Sequence, residues 1–176
     1  MASPVPLKTP VHQAIQQLAR RLALELAARD YAYFENWLDG NSPGATGGSP
    51  EGPDPLYGET YLPRKFKIGL AVPPRNDVDI YTQDIGFVAD ASDGQLRGYS
   101  ILVGGGLGMT HGNTQTYPVL GKPLFSIRAE DAIATAKAIL TTQRDFGGRT
   151  DRKRARMKYL IDEKGIDWMR AEVRSR

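Results

Sequence analysis

Two lysines separated by one residue, Lys65 and Lys67, lie within an alternating segment at positions 61–74. Successive side chains of a strand point to opposite faces, so a strand here would place both ammonium groups on one face with Gly69 and Ala71. Its apolar face would be formed by Phe66, Ile68, Leu70 and Val72. Two cations followed by two very small residues leave room for a flat anion. The alternative is a surface strand whose lysines discourage edge pairing.

A second group of cations lies between positions 144 and 158, where seven basic residues stand against two acidic ones. Arginine suits bidentate binding of carboxylates or phosphates, so a ligand with several carboxylates could use this segment. A solvated helix face and a nucleic-acid contact are the alternatives, although interleaved aromatic residues for base stacking are missing. The basic residues are Arg144, Arg149, Arg152, Lys153, Arg154, Arg156 and Lys158.

Four glycines in five residues, at 104–108, follow a predicted strand. No Gly-Lys-Ser/Thr follows them, and the next helix is too distant for a dinucleotide fingerprint. The segment therefore predicts either a bare backbone surface against which a planar ligand can lie or a glycine-rich exit from a hairpin. His111, just beyond it, could donate a proton, bind a ligand edge or have a structural role in the loop.

The elements that position these residues predict an α+β fold. Strands near positions 65, 87 and 100 would form a mixed or antiparallel sheet, with a hairpin turn at Ser92-Asp93-Gly94. Helices after Ala129, the last ones separated by Gly165, would cover this sheet, and a helix capped by Thr150 would lie among them. A short helix capped by Asn76 is expected at 76–83.

The remaining segments predict a division into three parts. Residues 1–38 form an N-terminal helical segment that begins at Thr9 and Pro10 and continues through the aromatic residues at 31–37. Residues 39–55, rich in glycine and proline, form a linker or loop. Residues 56–176 form the main domain.

Composition excludes several kinds of site. The chain has 176 residues, 40% of them apolar, which suits one domain with a real core. It has no cysteine and two histidines, which excludes disulfides, cysteine-ligated clusters and multi-histidine metal sites built from this chain alone. The absence of a signal-peptide pattern and of a long apolar run predicts a soluble, cytoplasmic protein without a membrane partner.

Four motifs in order resemble the sirohaem-dependent nitrite and sulfite reductases, and within them the sulfite reductases. They are Tyr-Leu-Pro-Arg-Lys-Phe-Lys at 61–67, Leu-Val-Gly-Gly-Gly-Leu-Gly at 102–108, Thr-His-Gly-Asn at 110–113 and Thr-Thr-Gln-Arg-Asp-Phe-Gly-Gly-Arg-Thr-Asp-Arg-Lys at 141–153. The resemblance covers residues 56–176 collinearly. It implies half of a nitrite/sulfite reductase haem domain, preceded by the N-terminal helix.

The resemblance also implies roles for individual residues. Lys65 and Lys67 would be catalytic, holding the anionic substrate over sirohaem and supplying protons to its departing oxygens. No metal ligand is expected in this chain. The residues expected to bind the cofactor are Arg64, Gly104, Gly105, Gly106, His111, Asn113, Arg149, Arg152, Lys153 and Arg156.

The chain departs from the family in lacking the four cysteines that bind a [4Fe-4S] cluster. We therefore expect it to contribute part of a pocket for sirohaem and sulfite, to be inactive alone, and to need a second chain or half that carries the cysteines. Ferredoxin or a flavoprotein would donate electrons. The alternatives are a nitrite reductase domain and a non-catalytic module that binds a tetrapyrrole, another anion or RNA.

Overall fold

The computed structural model describes residues 1–3, 8–29 and 53–176. Within these residues there are four helices, α1 (Pro10–Glu25), α2 (Ala132–Phe146), α3 (Met157–Lys164) and α4 (Ile166–Ser175). The same residues form four strands, β1 (Ile68–Ala71), β2 (Ile85–Ser92), β3 (Gln95–Val103) and β4 (Lys122–Arg128). Single 3-10 turns occur at Ile80–Thr82, Ala129–Asp131 and Arg152–Arg154.

The four strands form one open mixed sheet in the order β1-β2-β3-β4. β1 pairs parallel with β2, in a register that places Ile68 opposite Ile85. β2 and β3 form the antiparallel hairpin predicted from the turn at 92–94, and β4 pairs antiparallel with β3. The α+β class and the mixed sheet are therefore confirmed.

Alternation in the strands divides the core into two layers. Ile85, Phe87 and Ala89 of β2, and every second residue of β3 from Tyr99 to Val103, face the helices. All four helices contribute to that layer, and α1 contributes Val11, Ile15, Leu18 and Leu22. The opposite face carries a smaller cluster of Ala71, Val78, Ile80 and Leu102. The N-terminal helix is thus part of the main core.

The predicted strand bearing the two lysines was wrong in extent. β1 begins at Ile68, so Lys65 and Lys67 lie in the segment before it. The small residues predicted to share their face do not leave an open surface for a ligand. A Cβ at Gly69 would lie 2.7 Å from Gln83 Cγ, and Ala71 is buried beneath the 3-10 turn at Ile80–Thr82. Their small size accommodates the chain's own packing.

Other local predictions had mixed outcomes. Asn76 Oδ1 accepts a hydrogen bond from Ile80 N at 2.7 Å, but Asp79 has φ +48° and limits the predicted helix to a single 3-10 turn. Thr150 does not cap a helix; the Asp151 side chain accepts from Lys153 N at 2.8 Å and caps the 3-10 turn at Arg152–Arg154 instead. β4 was not predicted.

The 3-10 turn at Ala129–Asp131 leads directly into α2, and α4 follows α3 directly at Gly165, as expected.

The aromatic residues at 31–37 and most of the predicted linker at 39–55 lie outside the described residues. The division into segments 1–38, 39–55 and 56–176 therefore stays a prediction. Within the described parts of the chain, no helix is long and apolar enough to cross a membrane.

Candidate anion-binding site

Two adjoining surface depressions bring together most of the basic residues predicted from the sequence. Both include Arg64; the first has a volume of about 620 Å³ and the second about 140 Å³. The first is also lined by Lys65, Arg149 and Arg152, and the second by Lys153 and Arg156. We call these six residues the cationic surface. An apolar groove of about 540 Å³ meets it at Arg64 and Lys65.

The cationic surface carries a concentrated positive charge. No carboxylate lines either depression, and none of the six side chains forms an ion pair with a carboxylate within residues 1–3, 8–29 and 53–176. Other basic residues of the same region have internal partners: Arg144 pairs with Asp145, and Arg154 lies over the Tyr159 ring. The six cations are therefore arranged to attract an anion.

Arg149 joins the two segments that form the first depression. Its guanidinium donates to the carbonyl oxygens of Thr60 (3.0 Å), Tyr61 (2.6 Å) and Arg144 (2.9 Å). These bonds tie the end of α2 to the loop that precedes Arg64. Because three carbonyls already accept from it, Arg149 contributes charge to the depression while it fixes the loop's position.

The loop before Arg64 is also held from within. The buried Asp54 carboxylate accepts backbone hydrogen bonds from Arg29 (2.7 Å), Leu56 (2.8 Å) and Tyr57 (2.8 Å). Although burial opposes ionisation, these hydrogen bonds bring the pKa of Asp54 below its usual value. The Tyr57 ring then stacks on Tyr61 at 5.5 Å. Arg64 and Lys65 therefore extend from a firmly anchored segment.

Lys67 lies apart from these two depressions, beside a buried acid. Its backbone N–H donates to Asp84 Oδ2 at 2.8 Å, and its carbonyl accepts from Ile85 N at 3.1 Å. Asp84 is only 3% exposed. Burial raises the pKa of Asp84 to about 6, against the opposing effects of the Lys67 hydrogen bond and the nearby Arg156 charge.

The glycine segment packs closely against this acid. Gly104 N–H donates to the Asp84 carbonyl (2.9 Å) and Gly105 N–H to the Gln83 carbonyl (2.9 Å). A Cβ at Gly105 would lie 2.3 Å from Tyr81 O. The amides of Gly104 and Gly105 are therefore not bare, because the chain's own carbonyls accept from them, and the contact of these glycines with a cofactor stays a prediction. Gly106 also bonds internally, from its N–H to Val119 O at 2.8 Å.

Lys158 was counted among the basic residues but is buried, with 1% of its surface exposed. Its ammonium donates to the carbonyls of Gly106 (3.1 Å), Gly108 (2.9 Å) and Tyr117. Burial lowers the pKa of Lys158. Lys158 therefore binds the two ends of the 106–117 loop to α3 and does not face an external anion.

The two remaining predicted residues lie in that loop. His111 is exposed. Asn113 forms a turn, in which its side-chain oxygen accepts from Gln115 N (2.9 Å) and its carbonyl accepts from Thr116 N (3.1 Å). Neither lines the two depressions, although their neighbours Thr110 and Thr116 line the second. Their predicted contact with a cofactor stays a prediction.

Sequence reasoning missed Asp84 and misread Lys158. Each carried a signal, since Asp84 directly precedes the apolar run that becomes β2, and Lys158 stands between apolar residues at 157–161. A charged residue next to or within an apolar run is a candidate for burial, and a fully buried charge almost always has partners. The partners of Asp84 and Lys158 come from distant segments and could not be identified from spacing.

Comparison with known proteins places the chain in a family. The family model described as the nitrite and sulphite reductase 4Fe-4S domain matches residues 33–176. The chain is 48% identical over its whole length to the sulfite reductase (NADPH) hemoprotein beta-component of Staphylococcus saprophyticus and 44% identical to that of Geobacillus kaustophilus. It spans 31% of the length of each of these relatives.

A solved structure supports the same relationship. The NirA protein of Mycobacterium tuberculosis superposes with a TM-score of 0.55 and 27% identity, over 65% of this chain and 19% of that one. The α+β fold described above is thus similar to that of the NirA protein. The chain therefore belongs to the nitrite and sulphite reductase 4Fe-4S domain family.

Proposed function

We propose that this chain supplies one wall of a sirohaem and sulfite site in the six-electron reduction of sulfite to sulfide. The observation that carries the proposal is the cationic surface, on which six basic residues from two distant segments surround adjoining depressions that no carboxylate of the described residues lines. The names of the relatives support sulfite as the substrate. Nitrite, which is also a small oxyanion, is the alternative substrate within the family.

The described residues fit a flat macrocycle with several carboxylates. Arg64, Arg152, Lys153 and Arg156 would pair with the carboxylates, and the adjoining apolar groove suits the apolar part of a ring. When bound, sirohaem would supply the redox centre at which sulfite is reduced. Lys65, on the same surface, would hold the oxyanion and give protons to its departing oxygens, with Lys67 as the second donor.

The residues do not fit the family's iron-sulfur cluster. The chain has no cysteine, and the described residues contain no group of three or more His, Asp or Glu side chains placed to hold a metal ion. We therefore propose that a second chain or half carries the cluster cysteines, and that this chain is inactive without it. The relatives' names include NADPH and a beta-component, which favours a flavoprotein over ferredoxin as the electron donor.

Sirohaem titration of the full chain, followed by visible absorption, tests the binding proposal. We expect a saturable Soret shift that weakens about tenfold in Arg152→Gln/Lys153→Gln, because two charge-assisted contacts are lost. The control is Arg20→Gln/Arg97→Gln, which removes the same charge from exposed positions outside the cationic surface. Equal weakening in both variants, or no Soret shift in the wild type, would contradict the proposal.

Two further measurements address the rival functions. Sulfite turnover by the purified chain with reduced methyl viologen would contradict the inference that it is inactive alone. RNA binding that weakens with salt, without any sirohaem binding, would favour a nucleic-acid module instead.

A further inference from the structure

The backbone of Lys67 is held on both sides by one short segment of chain. The Lys67 N–H donates to Asp84 Oδ2 (2.8 Å), and the Lys67 carbonyl accepts from Ile85 N (3.1 Å). The second bond belongs to the start of the parallel pairing between β1 and β2, but the first comes from a side chain. The direction in which the Lys67 side chain leaves the backbone therefore depends on Asp84.

Asp84 is itself fixed by the glycine segment. Its carbonyl accepts from Gly104 N, and the preceding carbonyl, of Gln83, accepts from Gly105 N, both at 2.9 Å. Only glycine fits at position 105, since a Cβ there would lie 2.3 Å from Tyr81 O and 2.7 Å from Gln83 O. The glycine motif therefore holds Asp84 in place beneath Lys67.

Three cations lie close enough to the buried acid to interact with its charge. Lys67 itself and Arg156 both act on the Asp84 charge, and Asp84 in turn acts on Lys158, at the start of α3. Arg156 lines the second depression and lies against Gly106 and Gly108. Asp84 is thus the acid that connects the lysine segment, the glycine segment and the cationic surface.

We propose that Asp84 is a positioning residue for Lys67, fixing its backbone through the carboxylate and balancing the charges of Lys67 and Arg156. This inference rests on the proposed function for the part Lys67 plays toward the oxyanion. The positioning itself can be measured without a cofactor. Burial raises the pKa of Asp84 to about 6, so the carboxylate titrates in an accessible range.

Nuclear magnetic resonance of the ¹⁵N-labelled full chain tests the positioning. We expect the Lys67 amide resonance to shift with a single midpoint near pH 6, as its acceptor Asp84 gains or loses a proton. The shift should disappear in Asp84→Asn and persist in Asp90→Asn, a control at an exposed acid on β2. A Lys67 amide that does not titrate in the wild type overturns the proposal even if the variant fails to fold.

A double-mutant cycle then tests whether positioning affects ligand binding. Sulfite affinity of the sirohaem-loaded chain is measured for the wild type, Asp84→Asn, Lys67→Met and the double variant. We expect Asp84→Asn to weaken binding about tenfold alone and to add little once Lys67 is Met. Additive losses contradict the proposal. If the wild type does not bind sirohaem, the proposed function fails, while the Lys67 titration still decides the positioning.

Discussion

Replacing Lys158 by methionine should destabilise the fold through the 106–117 loop. Methionine keeps most of the apolar stem and removes the ammonium, which donates to the carbonyls of Gly106, Gly108 and Tyr117. Gly106 O also accepts from Val119 N at 3.0 Å, so it keeps a donor. The carbonyls of Gly108 and Tyr117 lose theirs.

The size of the effect follows from these two carbonyls. A buried carbonyl without a donor costs about 1 to 3 kcal/mol. Gly108 is exposed, so water can donate to its carbonyl in place of the ammonium and reduce this cost. Removing a buried ammonium also relieves the desolvation that lowers the pKa of Lys158. We therefore expect the free energy of unfolding to fall by about 2 to 4 kcal/mol.

Urea denaturation of the full chain, followed by far-ultraviolet circular dichroism, measures this change. Lys164→Met is the matched control, because Lys164 lies on the same helix with 43% of its side chain exposed and only a 3.6 Å contact to Glu163. The control should change stability by less than about 0.5 kcal/mol. A Lys158→Met variant within that same margin would refute the structural role assigned to this lysine.

Two further predictions concern Gly105 and Asp84. Gly105→Ala should lower the free energy of unfolding, measured by urea denaturation, by at least about 2 kcal/mol, because the new Cβ would lie 2.3 Å from Tyr81 O. The control Gly148→Ala should be nearly neutral, because its Cβ would have only Arg154 O nearby, at 3.9 Å. Equal effects would count against the packing explanation. The folded protein holds the Asp84 proton up to about pH 6, whereas the unfolded chain releases it at about pH 4. The stabilisation that comes from binding this proton is therefore full below about pH 4 and is lost as the pH rises through about 6, a change of about 3 kcal/mol. Urea midpoints of the wild type and Asp84→Asn should therefore diverge between pH 4 and 6 in favour of the variant, and a difference that does not vary with pH would be inconsistent with the buried acid.

Local patterns determined much of the fold. The hairpin of β2 and β3 follows from apolar alternation on either side of a turn sequence, and α1 follows from its cap and helical spacing. β4, at residues 122–128, was missed because it is an edge strand in which exposed residues alternate with more buried ones, so its sequence gives only a weak apolar signal. The motifs at 61–67, 102–108, 110–113 and 141–153 were sufficient to indicate the family.

Tertiary structure decided which residues meet, because the decisive contacts join segments far apart in the chain. Arg149 binds Thr60 across 89 positions, and this contact assembles the cationic surface from two runs that each also fit a solvated face. Small residues at 69 and 105 suggested space for a ligand, yet packing filled that space with Gln83 and Tyr81. The sequence by itself determined the charges, the helical and strand periods and the family. Only the fold decided that Lys158 is internal and that Asp84 supports Lys67, because burial depends on neighbours that the local sequence does not contain.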